Sequence, residues 1–410
     1  MVGQISHKCH SAALFKKMRI LYFRAVIVRA SAVYCRRGRV ITPGALLLSE
    51  GRIRGLYEDA PSRVDLDLEG YALFPGMINM HTHIEYTHFS GKVWRTRSFS
   101  KWLSNVNALK RQSSSTDYAE STKVGCRRLV ATGTTSAVTI CSHPEAIPNT
   151  RCPLRMWWAM EGIDLQRAFD FPVLHERLAV SPHSPYMASA DLYRRAKKLA
   201  ERTGAVFTTH VNESDEELEM FALGTGPLYE LMQKLGRDLS DCGQCDALCL
   251  LLDENLLAGR AVLAHVNYVQ ENYLARLRSA DHTVVHCPSC HLFFERDRFD
   301  YARFKAAGVR VTLGTDSAAT GAELDMREEL RLFSAAHPEL ERAEIFDLCT
   351  CQAAEALGLG DVLGSLLPGY SADFFAVRCE LGQDPLEALF NSRGQVRLTC
   401  VAGRIVHSSI

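Results

Sequence analysis

The sequence has no excess of charge of either sign. Its 410 residues include 47 lysines and arginines and 47 aspartates and glutamates, so the formal net charge is zero. Proteins that bind nucleic acid or an anionic membrane by charge need a surplus of basic residues. The balance therefore predicts neither of these partners and leaves a small-molecule substrate and a homo-oligomer open.

The sequence also has no long hydrophobic run. No stretch reaches the roughly 18 apolar residues of a membrane-spanning helix, and the opening "MVGQISHKCHSAALFKKMRILYF" has no apolar core ahead of a small-residue cleavage site. We therefore expect a cytoplasmic protein. Residues 1–17 show no clear periodicity, so they are predicted to be a disordered leader, or translation begins at Met18.

Cysteine, by contrast, is frequent. The 14 cysteines are scattered from Cys9 to Cys400, which is typical of reduced thiols in a cytoplasm. Two Cys-x-x-Cys pairs, Cys242/Cys245 and Cys287/Cys290, could together hold a structural zinc ion. Their separation far exceeds that of a zinc ribbon, which makes such a site improbable and leaves the role of the pairs open.

The order of short apolar runs predicts the fold class. Residues 18–73 and 366–410 contain short strands broken by turns, which indicates one β-sandwich built from both chain ends. Residues 74–365 repeat a strand, a loop and a helix eight times, which predicts a (β/α)₈ TIM-type barrel, an α/β fold. The eight predicted strands are "ALFPGMINM", "TTSAVTI", "LRMWWAM", "RLAVSP", "AVFTTHV", "AVLAHVNYV", "HTVVHC" and "VRVTLGT".

Several of these strands end in side chains that bind metals or move protons. In such a barrel the catalytic groups lie at the carboxyl ends of the strands. The residues at these positions are His81, His83, His183, His210, Glu213, His265 and Asp316. Positions i and i+2 of a strand point to one face, so His81 and His83 can share a metal ion.

The motifs around these residues resemble one family. "PGMINMHTH", "SPHSPY", "HVNESDEE", "LAHVNYV", "HCPSCHLFF" and "VTLGTDSAAT" follow in the order seen in the deaminase and chlorohydrolase branch of the amidohydrolase superfamily. Further on, "TCQAAEALGLGDVLGSLLPGYSADFFAV" is similar to that family's closing helix and its return to the sandwich. The resemblance covers nearly the whole chain.

The resemblance implies one divalent ion, Zn²⁺ or Fe²⁺, that activates a water molecule. Its ligands would be His81, His83, His210 and Asp316. It further implies that Asp316 accepts a proton from the water, that Glu213 is the acid/base, and that His183 and His265 stabilise developing charge.

A second metal ion is less expected. Relatives that open cyclic amides bridge two metals with a carboxylated lysine, and residues 124–196 contain no lysine. Glu161 could take that place in another type of relative, or contact the substrate. A mononuclear site is therefore preferred, and a cyclic amidase is disfavoured.

The expected substrate is a purine-type nucleoside. "SPHSPY" and "HVNES" resemble the methylthioadenosine/S-adenosylhomocysteine deaminases, whereas "HIEYTHFSG", "RSFSKWL" and His291 resemble the aminodeoxyfutalosine deaminases of menaquinone biosynthesis. The leading expectation is 6-amino-6-deoxyfutalosine, with methylthioadenosine or S-adenosylhomocysteine, hydrolytic dechlorination and cyclic amide hydrolysis as alternatives. The predicted substrate contacts are His183, Glu161, Trp94, Arg97, Phe99, Trp102, Arg155 and His291.

Overall fold

The computed structural model describes residues 25–59, 61–147, 152–164, 177–321, 323–391 and 396–410. The predicted leader, residues 1–17, lies outside these ranges. Within them, no helix combines the length and the apolar character needed to cross a membrane.

The strands fall into two sheets and run from the first described residues to the end of the chain. They are β1 Val26–Arg36, β2 Arg39–Ile41, β3 Gly44–Ser49, β4 Arg52–Tyr57, β5 Leu66–Pro75, β6 Met77–His83, β7 Thr134–Cys141, β8 Arg155–Gly162, β9 Leu178–Pro182, β10 Val206–Val211, β11 Val262–His265, β12 Thr283–His286, β13 Arg310–Leu313, β14 Asp316–Ser317, β15 Phe374–Arg378, β16 Leu398–Val401 and β17 Arg404–Ser408.

The α-helices lie between and after the strands of the second sheet. Those in the described ranges are α1 Phe99–Gln112, α2 Ser115–Ala131, α3 Ala190–Thr203, α4 Asp215–Leu223, α5 Pro227–Lys234, α6 Ala247–Asp253, α7 Glu271–Ser279, α8 Pro288–Phe293, α9 Tyr301–Ala307, α10 Met326–Ala336, α11 Arg342–Asp347, α12 Cys351–Ala356 and α13 Pro385–Asn391. Short 3₁₀ helices occupy Ile84–Phe89, Pro144–Ala146 and Ala318–Thr320.

The first sheet contains strands from both chain ends. Its order is β17-β16-β15-β5-β1-β3-β4, with β2 paired to β1. The two ends meet where β5 runs antiparallel to β15 and Phe74 pairs with Phe375. The expected contribution of both ends is present in this terminal sheet. The pair of packed sheets that a sandwich requires is not confirmed.

The second sheet is parallel and curled. Strands β6 to β13 pair in chain order, and β14 pairs with β6. Because β14 follows β13 after only Gly314 and Thr315, these two segments bring the last strand next to the first. All eight predicted strand regions contain strands of this sheet. The arrangement is consistent with a TIM-type barrel.

One predicted strand divides between the two sheets. "ALFPGMINM" covers the end of β5 and the start of β6, with Gly76 between them. A Cβ atom on Gly76 would lie 2.1 Å from Oγ1 of Thr135, so no larger residue fits without displacing β7. The chain passes from one sheet to the other at this close contact.

Local capping explains where the predicted helices begin and end. Ser114 and Asp117 form a reciprocal capping box at the start of α2. In α3 the Ser189 side chain accepts a hydrogen bond from the Leu192 amide, and Gly204 ends the helix at φ 69°. These caps satisfy backbone groups that a helix end leaves free and fix the helices that flank the parallel sheet.

Candidate active site

The carboxyl ends of the parallel strands bring four predicted metal ligands together. The Nε2 atoms of His83 and His210 lie 3.2 Å apart. Oδ1 of Asp316 lies 3.5 Å from Nε2 of both His81 and His83. One potential ligand atom from each of His81, His83 and His210 lies within 4.8 Å of the others. Residues from three separate strands therefore converge on one point.

The imidazole nitrogens are oriented as metal binding requires. Nδ1 of His210 donates a hydrogen bond to the His183 carbonyl oxygen over 2.7 Å, which leaves its Nε2 lone pair directed at His83. Both ring nitrogens of His81 and Nδ1 of His83 are buried without a hydrogen-bond partner. A buried acceptor without a partner is costly, and a cation between the Nε2 atoms of the three histidines would bind one acceptor nitrogen of each ring. The four side chains thus fit a divalent ion.

The charge states of these groups agree with that role. Burial lowers the pKa of His83 to about 3 and that of His210 well below its usual range, so both imidazoles are neutral at pH 7. Burial alone would raise the pKa of Asp316. The His81 ring, whose Nε2 lies 3.5 Å from Oδ1, and the neighbouring histidines outweigh burial and hold that pKa well below its usual range. Neutral imidazoles with one carboxylate suit Zn²⁺ or Fe²⁺.

The backbone is constrained where Asp316 enters the site. Asp316 has a positive φ of 56°, a region that non-glycine residues seldom occupy. Its carbonyl oxygen accepts a hydrogen bond from Thr82 Oγ1, and the preceding Thr315 accepts one from the Asn79 side chain over 2.8 Å. These contacts from β6 hold Asp316 beside the histidines.

A second group of charged side chains lies next to the metal ligands. Glu213 contacts two of them: its Oε2 atom is 3.6 Å from Nε2 of His265, and the Oε1 atom of Glu213 is 3.5 Å from Nη2 of Arg296. Burial raises the pKa of Glu213 to about 8, with Arg296 opposing the rise. His265 has a positive φ of 74°. Glu213 can therefore carry a proton near neutral pH.

His183 is fixed by a carboxylate on the neighbouring strand. Its Nδ1 lies 2.5 Å from Oε1 of Glu161, and its Nε2 lies 3.4 Å from the Tyr186 hydroxyl. The Ser142 hydroxyl donates to the other Glu161 oxygen. Burial would raise the pKa of Glu161, but the charge and hydrogen bond of His183 outweigh it and lower that pKa well below its usual range.

These side chains share one cavity of about 40 Å³. The candidate ligands His83, His210 and Asp316 line it, as do Glu213, His265, His183, Glu161 and Trp102. A space of this size holds a water molecule but not a whole purine. The body of a substrate must therefore lie in adjoining space.

Five predicted substrate contacts lie outside this cavity: the buried Phe99 and four others. Trp94 is 88% exposed, and Arg97 is an exposed partner of Glu295. Arg155 is the first residue of β8, at the opposite end of the sheet, where it binds Asp373. His291 has its Nε2 against the Asp297 carbonyl oxygen. The loop and strand positions that suggested these contacts carried no information on side-chain direction.

The structure places other predicted groups as follows. Phe99 is buried in the hydrophobic core. Glu161 belongs to none of the potential ligand groups found among the described residues, and neither Cys-x-x-Cys pair forms a four-cysteine group there. Cys290 instead lies with Glu213 and His265, with potential ligand atoms within 4.8 Å.

Sequence reasoning missed several residues of the site, among them Arg296 and Tyr86. Arg296 is buried against Glu213, and its Nη1 has no hydrogen-bond partner. It follows α8 in a segment without periodicity, so no pattern could indicate it. Tyr86 stacks on the His83 ring with centroids 5.6 Å apart. Its position three residues after the His-x-His pair was the available signal.

Comparison with known proteins identifies similar sequences. The sequence model of the amidohydrolase family matches residues 72–155 and 169–406. A 5-methylthioadenosine/S-adenosylhomocysteine deaminase of Pyrococcus furiosus is 28% identical over 80% of both chains. An aminodeoxyfutalosine deaminase of Deinococcus radiodurans is 36% identical over 40% of this chain and 41% of its own.

A solved structure shows the same fold. An adenosine deaminase from Xanthomonas campestris, with bound zinc, superposes with a TM-score of 0.77 and 22% identity over 94% of both chains.

Proposed function

The chain belongs to the amidohydrolase family, and from that premise we propose that it is a metal-dependent deaminase of a purine-type nucleoside. It is a hydrolase that acts on carbon–nitrogen bonds. The observation that carries the proposal is the convergence of His81, His83, His210 and Asp316 beside the buried Glu213. A deamination needs an activated water molecule and a group that can protonate the leaving side of the ring, and this arrangement supplies positions for both.

The first requirement is met by the four candidate ligands. A divalent ion held by them would act as a Lewis acid and lower the pKa of a bound water molecule towards about 7. Asp316 is held as an anion in the fold, so its carboxylate could accept a proton from a water molecule activated at this site.

Glu213 meets the second requirement. Its raised pKa of about 8 keeps a proton on the carboxyl group at neutral pH, and the residue lines the same cavity as His210 and Asp316. In the proposed reaction Glu213 protonates a ring nitrogen as water attacks the neighbouring carbon. Glu213 then takes the proton of the new hydroxyl group, as that group becomes a carbonyl, and passes it to the amino group, which leaves as ammonia. The water proton held by Asp316 finally restores the acid form of Glu213.

His183 and His265 orient the substrate and stabilise negative charge. Glu161 and Tyr186 hold the His183 ring between them, so it is a preorganised donor. His265 is buried within 3.6 Å of Glu213. Preorganised donors of this kind stabilise developing charge more than mobile ones.

We propose 6-amino-6-deoxyfutalosine as the leading substrate. The 36% identity with the Deinococcus aminodeoxyfutalosine deaminase covers less than half of the chain. The methylthioadenosine/S-adenosylhomocysteine deaminase relatives match over more of it. Methylthioadenosine and S-adenosylhomocysteine are therefore the second candidates.

The test is ammonia release from a substrate panel by protein of known metal content. The panel contains aminodeoxyfutalosine, methylthioadenosine, S-adenosylhomocysteine, adenosine, guanine and cytosine, and the same preparation is analysed for zinc and iron. We expect about one divalent ion per chain and the highest kcat/KM with aminodeoxyfutalosine. Loss of activity on chelation, and its return with Zn²⁺ or Fe²⁺, should accompany this result. Absence of ammonia from every compound in the metal-loaded protein would contradict the proposal.

A further inference from the structure

A larger cavity adjoins the candidate metal site. It has a volume of about 420 Å³, within the range of roughly 300–1,000 Å³ that holds small-molecule ligands. Five residues line both this cavity and the smaller one at the ligands: Tyr86, Leu103, Lys110, Glu161 and His183. A substrate whose reacting ring edge reaches the metal site would therefore extend into this larger space.

Two cations, the partly buried Lys110 and the exposed Arg111, line the larger cavity. Lys110 and Arg111, at the end of α1, form no ion pair and no side-chain hydrogen bond with any described residue. The Lys110 ammonium lies 4.7 Å from the centre of the Tyr86 ring, and that ring stacks on His83. A single aromatic ring thus separates this cation from a candidate metal ligand.

The carboxylates near these cations are already satisfied. Glu161 is bound by His183 and Ser142. Glu85, buried behind the cavity, accepts hydrogen bonds from the backbone amides of Ser142 and His143 over 3.0–3.2 Å. Neither acid makes a direct ion pair with Lys110. The charge of Lys110 acts on both acids from a distance, but its donors and those of Arg111 stay available to a ligand, while the acids are held by neighbouring donors.

Much of the remaining wall is apolar and aromatic. Tyr118 stacks on the His143 ring with centroids 3.6 Å apart, and Leu103, Met187 and Leu235 also line the cavity, together with the polar Asn107. Such a surface suits an uncharged linking segment of a ligand, whereas the two cations suit its charged end.

We propose that this cavity binds an anionic group, a carboxylate or a phosphate, carried by the substrate away from its reacting ring, and that Lys110 and Arg111 recognise it. This inference rests on the proposed deaminase function, because the ring edge must occupy the metal site. It restricts the substrate class to aminated purine nucleosides with an acidic substituent.

The test uses a matched pair of ligands. One is an adenosine whose 5′-thioether ends in a carboxylate, and the other is the methyl ester of the same compound, which is similar in shape but uncharged. We expect kcat/KM for the acid to exceed that for the ester by about tenfold or more, as for a charge-assisted hydrogen bond. Salt should reduce this ratio.

Variants then locate the effect. Lys110→Met should lower the acid-to-ester ratio of kcat/KM, Lys110→Met combined with Arg111→Met should bring it close to one, and Lys110→Arg should largely restore it. Lys101→Met is the matched control, because Lys101 is an exposed residue of the same helix that does not line the cavity; its ratio should equal that of the wild type. If Lys110 served only to balance Glu161 and Glu85, its loss would affect acid and ester equally.

Adenosine 5′-monophosphate distinguishes the two sources of negative charge. A Lys110-dependent kcat/KM for this nucleotide would assign the site to anions in general. Its rejection, with turnover of the carboxylate, would assign the site to carboxylates.

Equilibrium binding of the acid and ester to metal-loaded protein, measured by calorimetry, separates this inference from the proposed function. Equal turnover or equal affinity of the two ligands would overturn the anion site while deamination stands. Tighter, Lys110-dependent binding of the acid without ammonia release would support the anion site and contradict the deaminase proposal. Binding of neither ligand would overturn the anion site.

Discussion

Two buried arginine–carboxylate pairs lie at opposite ends of the parallel sheet and differ in how fully they are bonded. At the amino end of β8, Nε of Arg155 lies 2.7 Å from Oδ2 of Asp373, and its Nη2 binds both Ser371 and Asp373. Asp373 also accepts a hydrogen bond from the Ala402 amide. Beyond the carboxyl end of β10, Arg296 reaches Glu213 only at 3.5 Å, and its Nη1 has no partner.

The difference separates a structural pair from a pair in the proposed site. Fully bonded buried groups hold two parts of the fold together, here β8 and the terminal sheet, and have no capacity left for a ligand. Buried groups with unpaired donors lower the stability of the fold. Their donors and protons, however, remain available to a substrate.

Replacing Glu213, the acid of the incompletely bonded pair, should have the largest effect on activity. We expect Glu213→Gln to lower kcat by about 10²–10⁴-fold, the usual contribution of an acid/base group. Metal content should not change, because Glu213 is not among the candidate ligands. Kinetics and metal analysis on one preparation measure both. Asp215→Asn, an exposed acid at the start of α4, is the control. Wild-type turnover in Glu213→Gln would remove the assigned role.

Breaking the fully bonded pair should instead reduce stability. Arg155→Met leaves Asp373 buried without its cation, and we expect the free energy of unfolding to fall by about 3–5 kcal/mol. The variant's kcat, measured well below its unfolding temperature, should equal that of the wild type. Denaturant unfolding and steady-state kinetics test the two statements.

The control is Arg29→Met, which breaks a more exposed pair with Asp67. Its effect on the free energy of unfolding should be much smaller, because exposed pairs are weak. If the Arg155→Met variant had normal stability and a reduced kcat, Arg155 would act in the reaction and not in holding the fold together.

Arg155 and Arg296 also show what could be predicted from the sequence and what could not. The strands were predictable because apolar runs recur at regular intervals. The ligands were predictable because a strand directs alternate residues to one face and the motifs follow in a characteristic order. An arginine at a strand start or in a loop has no such periodicity. Arg155 was therefore assigned to a substrate, while Arg296 and Lys110 were not identified at all. Their partners depend on how distant segments pack.

Weakening the incompletely bonded pair should change the pH dependence of the reaction. Burial raises the pKa of Glu213 to about 8, and Arg296 opposes that rise. Arg296→Met should therefore raise the pKa further. If protonated Glu213 is the active form, the alkaline limb of the kcat/KM profile moves to higher pH.

The matched variant for this experiment is Arg298→Met. Arg298 is an exposed residue two positions further on and pairs with Glu339. Its removal should leave the alkaline limb where it is in the wild type. A limb that stays in place or moves to lower pH in Arg296→Met would show that Arg296 does not act on Glu213.

The smallest expected effect concerns the partly buried carboxylate of Asp347, outside the proposed site. Asp347 has one oxygen without a hydrogen-bond partner, and its other oxygen is 4.0 Å from Arg37. Burial raises its pKa from 3.8 to about 6. The folded state therefore binds the proton more tightly than the unfolded state, and stability falls as pH rises from 3.8 to about 6.

Asp347→Asn removes this ionisation, so the variant should be more stable than the wild type above pH 6. We expect a gain of about 1–2 kcal/mol there, measured by denaturant unfolding, and little gain at the lowest pH at which folding is reversible. Asp361→Asn, which changes an exposed acid, should show no such difference. An equal gain at both pH values would mean that the missing hydrogen bond, and not the charge, destabilises Asp347. In that case, the unpaired Asp347 oxygen would lower the free energy of unfolding even when the carboxyl group is protonated.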